Sequence, residues 1–147
     1  MNLAMPRKKP RITQAEYEIL ADFRHALRRF LRFSEDAAAA AGITPQQHQA
    51  LLAIKGSVGK EKITVGTLAE RLQILHHSAV GLTDRLVQHG YIKKTRGSQD
   101  RRQVYLGLTH AGNRTLERLT EAHREQLRQL GPQLRLLLHT LDKEPQG

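Results

Sequence analysis

Apolar residues recur at three- and four-residue steps from about Thr13 to Ala41, at Ile19, Leu20, Phe23, Ala26, Leu27, Phe30 and Leu31. That is the period of one face of a helix. Thr13 suits its N-cap, Glu16 three residues on completes a capping box, and Gly42 stands where a left-handed C-cap belongs. Thr44-Pro45 restarts a helix, with Pro45 at a first-turn position where a missing N–H costs nothing. Leu51, Leu52 and Ile54 give this helix a buried side, and Gly56 and Gly59 end it in a loop with Lys55, Lys60 and Lys62. Ile63-Thr64-Val65 reads as a short strand. Leu68, Ala69 and Leu72 mark a short helix and Ile74-Leu75 a turn. A second helix runs from about His77 to Gln88 on the stripe Ala79, Leu82, Thr83 and Leu86, and Gly90 stops it.

Two short helices across a tight turn form a helix-turn-helix pattern. Tyr91–Arg96 and Arg101–Leu108 then flank the turn cluster Gly97-Ser98-Gln99-Asp100, which reads as a β-hairpin, or wing. Thr109 caps a further helix with Leu116, Leu119, Leu127 and Leu130 on one line. Gly131-Pro132 is expected to break it, and Leu134, Leu137, Leu138 and Leu141 to continue on a last helix. The expected fold class is mainly α with a small β-hairpin wing: a winged helix-turn-helix flanked by N- and C-terminal dimerisation helices. Residues 1–12 form a flexible basic arm, 13–43 the N-terminal dimerisation helix, 44–109 the winged helix-turn-helix and 110–147 the C-terminal dimerisation helices. The terminal leucines exceed what the small central module needs for cover, so a homodimer is expected.

Charge adds a partner. The chain holds 24 Lys+Arg against 14 Asp+Glu, a formal net charge of +10. Such a balance suits a polyanion, nucleic acid first. Aromatic residues make up only 4% and Trp is absent, which disfavours the stacking platforms of single-strand binders and favours duplex DNA. With no cysteine, disulfides, thiolate zinc sites and thiol nucleophiles are excluded. No apolar run reaches a membrane span and no signal-peptide h-region is present, so a cytoplasmic protein without a membrane partner is expected.

Opposite the buried stripe of the second helix, His77, Ser78, Gly81 and Arg85 share a face that a helix-turn-helix turns to the major groove. Arginine offers guanine two hydrogen bonds there, and Gly81 lets the helix backbone lie close. In the wing, Lys93, Lys94 and Arg96 precede the turn and Arg101 and Arg102 follow it. Arginines at such a tip suit a narrow minor groove, with Asp100 placed to hold one guanidinium. The bland alternative is a solvated helix face and a hairpin kept soluble by its charges. Eight histidines invite a metal, but His76-His77 are adjacent and no H-E-x-x-H spacing occurs, so no metal or cofactor is expected. No phosphate loop, nucleophile elbow or paired-carboxylate cleft supports an enzyme.

The order of parts resembles the MarR family of winged-helix regulators. Asp84-Arg85-Leu86, Gly90-Tyr91-Ile92, Asp100-Arg101-Arg102 and Leu106-Gly107-Leu108-Thr109-His110-Ala111-Gly112 carry the likeness, with Thr44, Gln47, Leu51 and Val65-Gly66-Thr67-Leu68-Ala69 adding to it. The resemblance implies a recognition helix from about His77, a wing pair Asp100 and Arg102, interlocked terminal helices and a palindromic operator. It also implies a repressor released by a small aromatic or anionic effector, for which a pocket near His25 and His48 is expected. Gly81 stands where the family often has arginine, and His77-Ser78 where Ser-Thr is typical, so the operator is not carried over. Two other readings stay open: a winged-helix protein-interaction module and an architectural DNA binder without sequence preference.

Overall fold

A computed structural model describes residues 5–6, 10–57 and 63–143. The element order is α1 (Gln14–Ala40), α2 (Pro45–Gly56), α3 (Val65–Leu72), α4 (His76–Gln88), β1 (Ile92–Arg96), β2 (Val104–Leu108) and α5 (His110–Asp142). The expected boundaries of the arm and of the loop at Gly59, Lys60 and Lys62 fall partly or wholly outside the described residues.

Threonine begins four of the five helices, because its hydroxyl satisfies a first-turn N–H that has no helical acceptor. The Thr13 hydroxyl accepts from Glu16 N at 3.2 Å, and Glu16 Oε2 accepts from Thr13 N at 2.7 Å. Thr44 and Gln47 repeat the box at 3.1 and 3.0 Å, with Pro45 in the first turn. Thr64 caps α3 and Thr109 caps α5. Between α1 and α2, Gly42 takes φ +81°, the left-handed region that a side chain disfavours.

The chain divides into two compact units, one of residues 33–124 and one of residues 1–32 with 125–147. The 33–124 unit holds the main core. Leu51 and Ile54 of α2, Leu68 of α3, Leu82 and Leu86 of α4, Ile92 and Leu106 of the hairpin, and Leu116 and Leu119 of α5 are all buried in one cluster. Ala38, near the end of α1, belongs to the same cluster, so the unit extends past 44–109 at both ends. The hairpin is antiparallel, with Ile92 opposite Leu108, Lys94 opposite Leu106 and Arg96 opposite Val104.

Two expectations are corrected. Ile63 makes only an isolated bridge to Leu106, while Thr64 is a helix cap and Val65 the first residue of α3. The β-branched run looked strand-like, but capping took two of its three residues. Second, α5 runs unbroken through Gly131-Pro132. A proline inside a helix removes one N–H and crowds the carbonyl four residues back. In a 33-residue helix that is one rung of a long ladder, and the leucine- and glutamine-rich turns on either side carry the helix across.

Candidate nucleic-acid interface

The α3–α4 turn is set by its backbone. Gln73 takes a left-handed conformation, φ +54°, and its amide closes the end of α3. Ile74 N donates to Ala69 O at 3.0 Å, and Gln73 Nε2 donates to Glu70 O at 2.7 Å. A non-glycine residue in this region costs about 1–2 kcal/mol, which these three bonds help to offset. They tie the turn and fix the direction in which α4 leaves.

α4 buries Ala79, Leu82, Thr83 and Leu86, the stripe expected from the sequence. At 3.6 residues per turn the opposite face centres on His77, Gly81 and Asp84, with Ser78 and Arg85 along one side. His77 and Arg85 are exposed; Ser78 and Gly81 are half-buried. Arg85 folds back along its own helix, its Nε donating to Gly81 O at 3.3 Å. A Cβ at Gly81 would lie 3.5 Å from Arg85 Nη2, an ordinary contact. A methyl group here would thus leave the guanidinium where it lies.

The wing places Arg96, Arg101 and Arg102 in solvent with no ion pair among the described residues. Lys94 differs from that expectation. Its Nζ donates to Asp84 Oδ1 of α4 at 3.0 Å, so β1 is tied to the helix it follows. Both side chains are about half exposed, and such a pair contributes about 0.2–1 kcal/mol, so its role is alignment. Asp84 was not singled out as a site residue; its place four residues before Gln88, with Lys94 ten residues on, carries no local signal.

Asp100 also acts differently from expectation. Its Oδ1 accepts from the backbone N–H of Arg102 at 2.9 Å and meets no guanidinium among the described residues. An aspartate two residues before an amide readily makes this turn, and the loop offers it nearer than any side-chain cation. The loop is closed by Gly97 N to Gln103 O at 2.9 Å and Gln103 N to Asp100 O at 3.1 Å. A Cβ at Gly97 would lie 2.6 Å from Asp100 O, so the tip requires glycine there.

The root of the wing is a joint. Thr109 Oγ1 donates to Gly90 O at 2.5 Å and accepts from Gly112 N at 3.1 Å, while Thr109 N donates to Tyr91 O at 3.0 Å. A Cβ at Gly112 would collide with the Tyr91 carbonyl oxygen.

The two histidines proposed for an effector fall in different units. His25 is exposed and lines a cleft of about 320 Å³ with Asp22, Phe23, Arg29 and Leu137. His48 is buried in the 33–124 unit. Among the described residues no group of three His, Asp or Glu is placed to hold a metal, and no helix is long and apolar enough to cross a membrane.

Residues 41–103 match the sequence profile of the MarR family. No curated protein matches the chain by sequence. Among solved structures, a multiple antibiotic-resistance repressor (MarR) from Listeria monocytogenes is similar at 24% identity and TM-score 0.66, covering 88% of this chain and 99% of that one. A variant of MepR from S. aureus, bound to an oligodeoxyribonucleotide, is similar at 21% identity and TM-score 0.65, covering 89% and 96%. CouR from Rhodococcus jostii, bound to p-coumaroyl-CoA, is similar at 17% and TM-score 0.65, covering 88% and 95%. The profile match spans the helix-turn-helix and the wing through Gln103, and the matching structures share the fold, so residues 41–103 are similar to the winged-helix domain of the MarR family.

Proposed function

We propose that this chain is a transcriptional regulator that binds duplex DNA as a homodimer, with α4 in the major groove and the wing on the minor groove. One observation carries the reading: the outer α4 face of His77, Gly81 and Arg85 and the exposed wing cations Arg96, Arg101 and Arg102 belong to one unit, and the Lys94–Asp84 bond aligns them. A protein-binding module needs no such basic tip. The MepR variant in complex with an oligodeoxyribonucleotide supports the same use of the fold.

The operator is a palindrome, matching the two-fold axis of the dimer, and the protein acts there as a repressor released by an aromatic or anionic effector. CouR, seen with p-coumaroyl-CoA, supports an effector of that kind. His25, in a cleft with Arg29, is its proposed contact. The test is fluorescence anisotropy with DNA flanking the gene of this protein. Tight binding that random duplex fails to displace supports the regulator; equal displacement by random duplex makes it an architectural binder, and no binding overturns the reading. Salicylate added to the complex should then release it, with a weaker midpoint in His25→Ala.

A further inference from the structure

Three helices of the 33–124 unit meet at a pair of imidazoles that DNA binding does not use. His48 of α2 is 3% exposed, and its ring centroid lies 4.9 Å from that of His123 of α5, the planes inclined by 48°. His123 is held at both nitrogens. Nδ1 donates to the Leu119 carbonyl oxygen at 2.6 Å; a carbonyl only accepts, so this nitrogen keeps its proton in either charge state. Nε2 lies 2.8 Å from the hydroxyl of Ser34 on α1. With a neutral ring the hydroxyl donates to Nε2; with a charged ring Nε2 donates and the hydroxyl accepts. No heavy atom has to move. Phe33 of α1 packs edge-on against the same ring at 5.3 Å.

His48 has no such provision. Its Nδ1 is buried with no hydrogen-bond partner among the described residues. Burial, and after it the His123 charge, hold its pKa below the ordinary 6.5. The titratable group facing it is His123; α1 presents the uncharged Ser34 and Phe33 at this junction. The charged side chains of the surrounding stretches, Glu35 and Asp36 on α1, Lys55 on α2, and Glu121 and Arg124 on α5, are all exposed.

We propose that Ser34, His48 and His123 form a proton-operated latch, in which the His123 ring, bonded at both nitrogens, anchors the α1–α2–α5 junction and a proton on His48 opens it. The unfolded imidazole charges near 6.5 while folded His48 stays neutral, so below that pH unfolding takes up a proton. The stability this group provides is full above about 6.5 and falls as the pH drops toward the folded value.

The test uses the full chain, with histidine ring signals followed by NMR from about pH 8 to about pH 5. The His48 signal should titrate only below the ordinary range, and only as the α2 amides lose their native pattern. In urea, the wild-type unfolding constant should rise by up to about tenfold per pH unit more steeply than that of His48→Phe, which keeps a ring and takes no proton. A His48 ring that titrates near the ordinary 6.5 while the α2 amides keep their positions, or a His48→Phe chain with the wild-type slope, would overturn the latch. If His48→Phe does not fold, the wild-type ring titration decides alone. No DNA enters the experiment, so failure here is separate from failure of the regulator reading.

Discussion

The two compact units are built on opposite terms. In residues 33–124 leucines and isoleucines of four helices and a hairpin form one buried cluster, and Leu51, Ile54, Leu68, Leu86 and Ile92 among them are almost wholly out of water, while Leu52 of α2, expected on the buried side, is exposed. In the unit of residues 1–32 and 125–147, Ala26 and Leu137 are buried, yet Tyr17, Leu20, Leu31, Leu127, Leu136, Leu138 and Leu141 stand exposed. Similar apolar content thus yields a finished core in one case and an open face in the other. The first unit has its stability in hand as a single chain, and the second has a surface suited to a second copy.

The sharpest way to break that comparison is to cut the same side chain in each. Leu86→Ala removes a fully buried side chain and should cost about 2–5 kcal/mol in urea unfolding. Leu136→Ala, on a side chain 63% exposed, should change the unfolding of a dilute chain by no more than about 0.5 kcal/mol. It should weaken self-association instead: light scattering is expected to give twice the 16.7 kDa chain mass for wild type and a lower mean mass for the variant. Equal unfolding losses at the two sites would erase the distinction.

Within the first unit, Arg102→Ala should weaken duplex binding by about 1–3 kcal/mol in anisotropy, with the urea midpoint unchanged, because the side chain is exposed. An unchanged affinity would remove the wing from the proposed mechanism. Asp100→Asn keeps an acceptor for the Arg102 amide and should bind close to wild type, whereas Asp100→Ala loses that bond and should cost about 0.5–1.5 kcal/mol. The smallest effect belongs to Lys94→Met, about 0.2–1 kcal/mol of stability, and it should be reproduced by Asp84→Asn and not added to by the pair.

What the sequence made legible was local. The Thr13–Glu16 and Thr44–Gln47 boxes, the left-handed Gly42 and the four-residue stripe of α4 follow from neighbours at most four positions apart. What it hid was decided by alternatives of similar cost. Gly131-Pro132 reads as a stop, yet its penalty is small against a long leucine-rich helix. Asp100 had an amide two residues away and cations on both sides, and the shorter reach won. The Asp84–Lys94 contact and the His48–His123 pair join separate elements, and no spacing along the chain announces them.

The joint at Thr109 gives the winged domain a mechanical property. The end of α4, the root of β1 and the first turn of α5 are pinned to one hydroxyl and two carbonyls, and the Gly112 backbone is wedged against Tyr91 with no room for a methyl group. Across so short and stiff a linkage, torque is transmitted and little is absorbed. A turn of the first coil of α5 about this pivot would swing α4 like the far arm of a crank, while the wing tip, held only by its own loop, would trail behind.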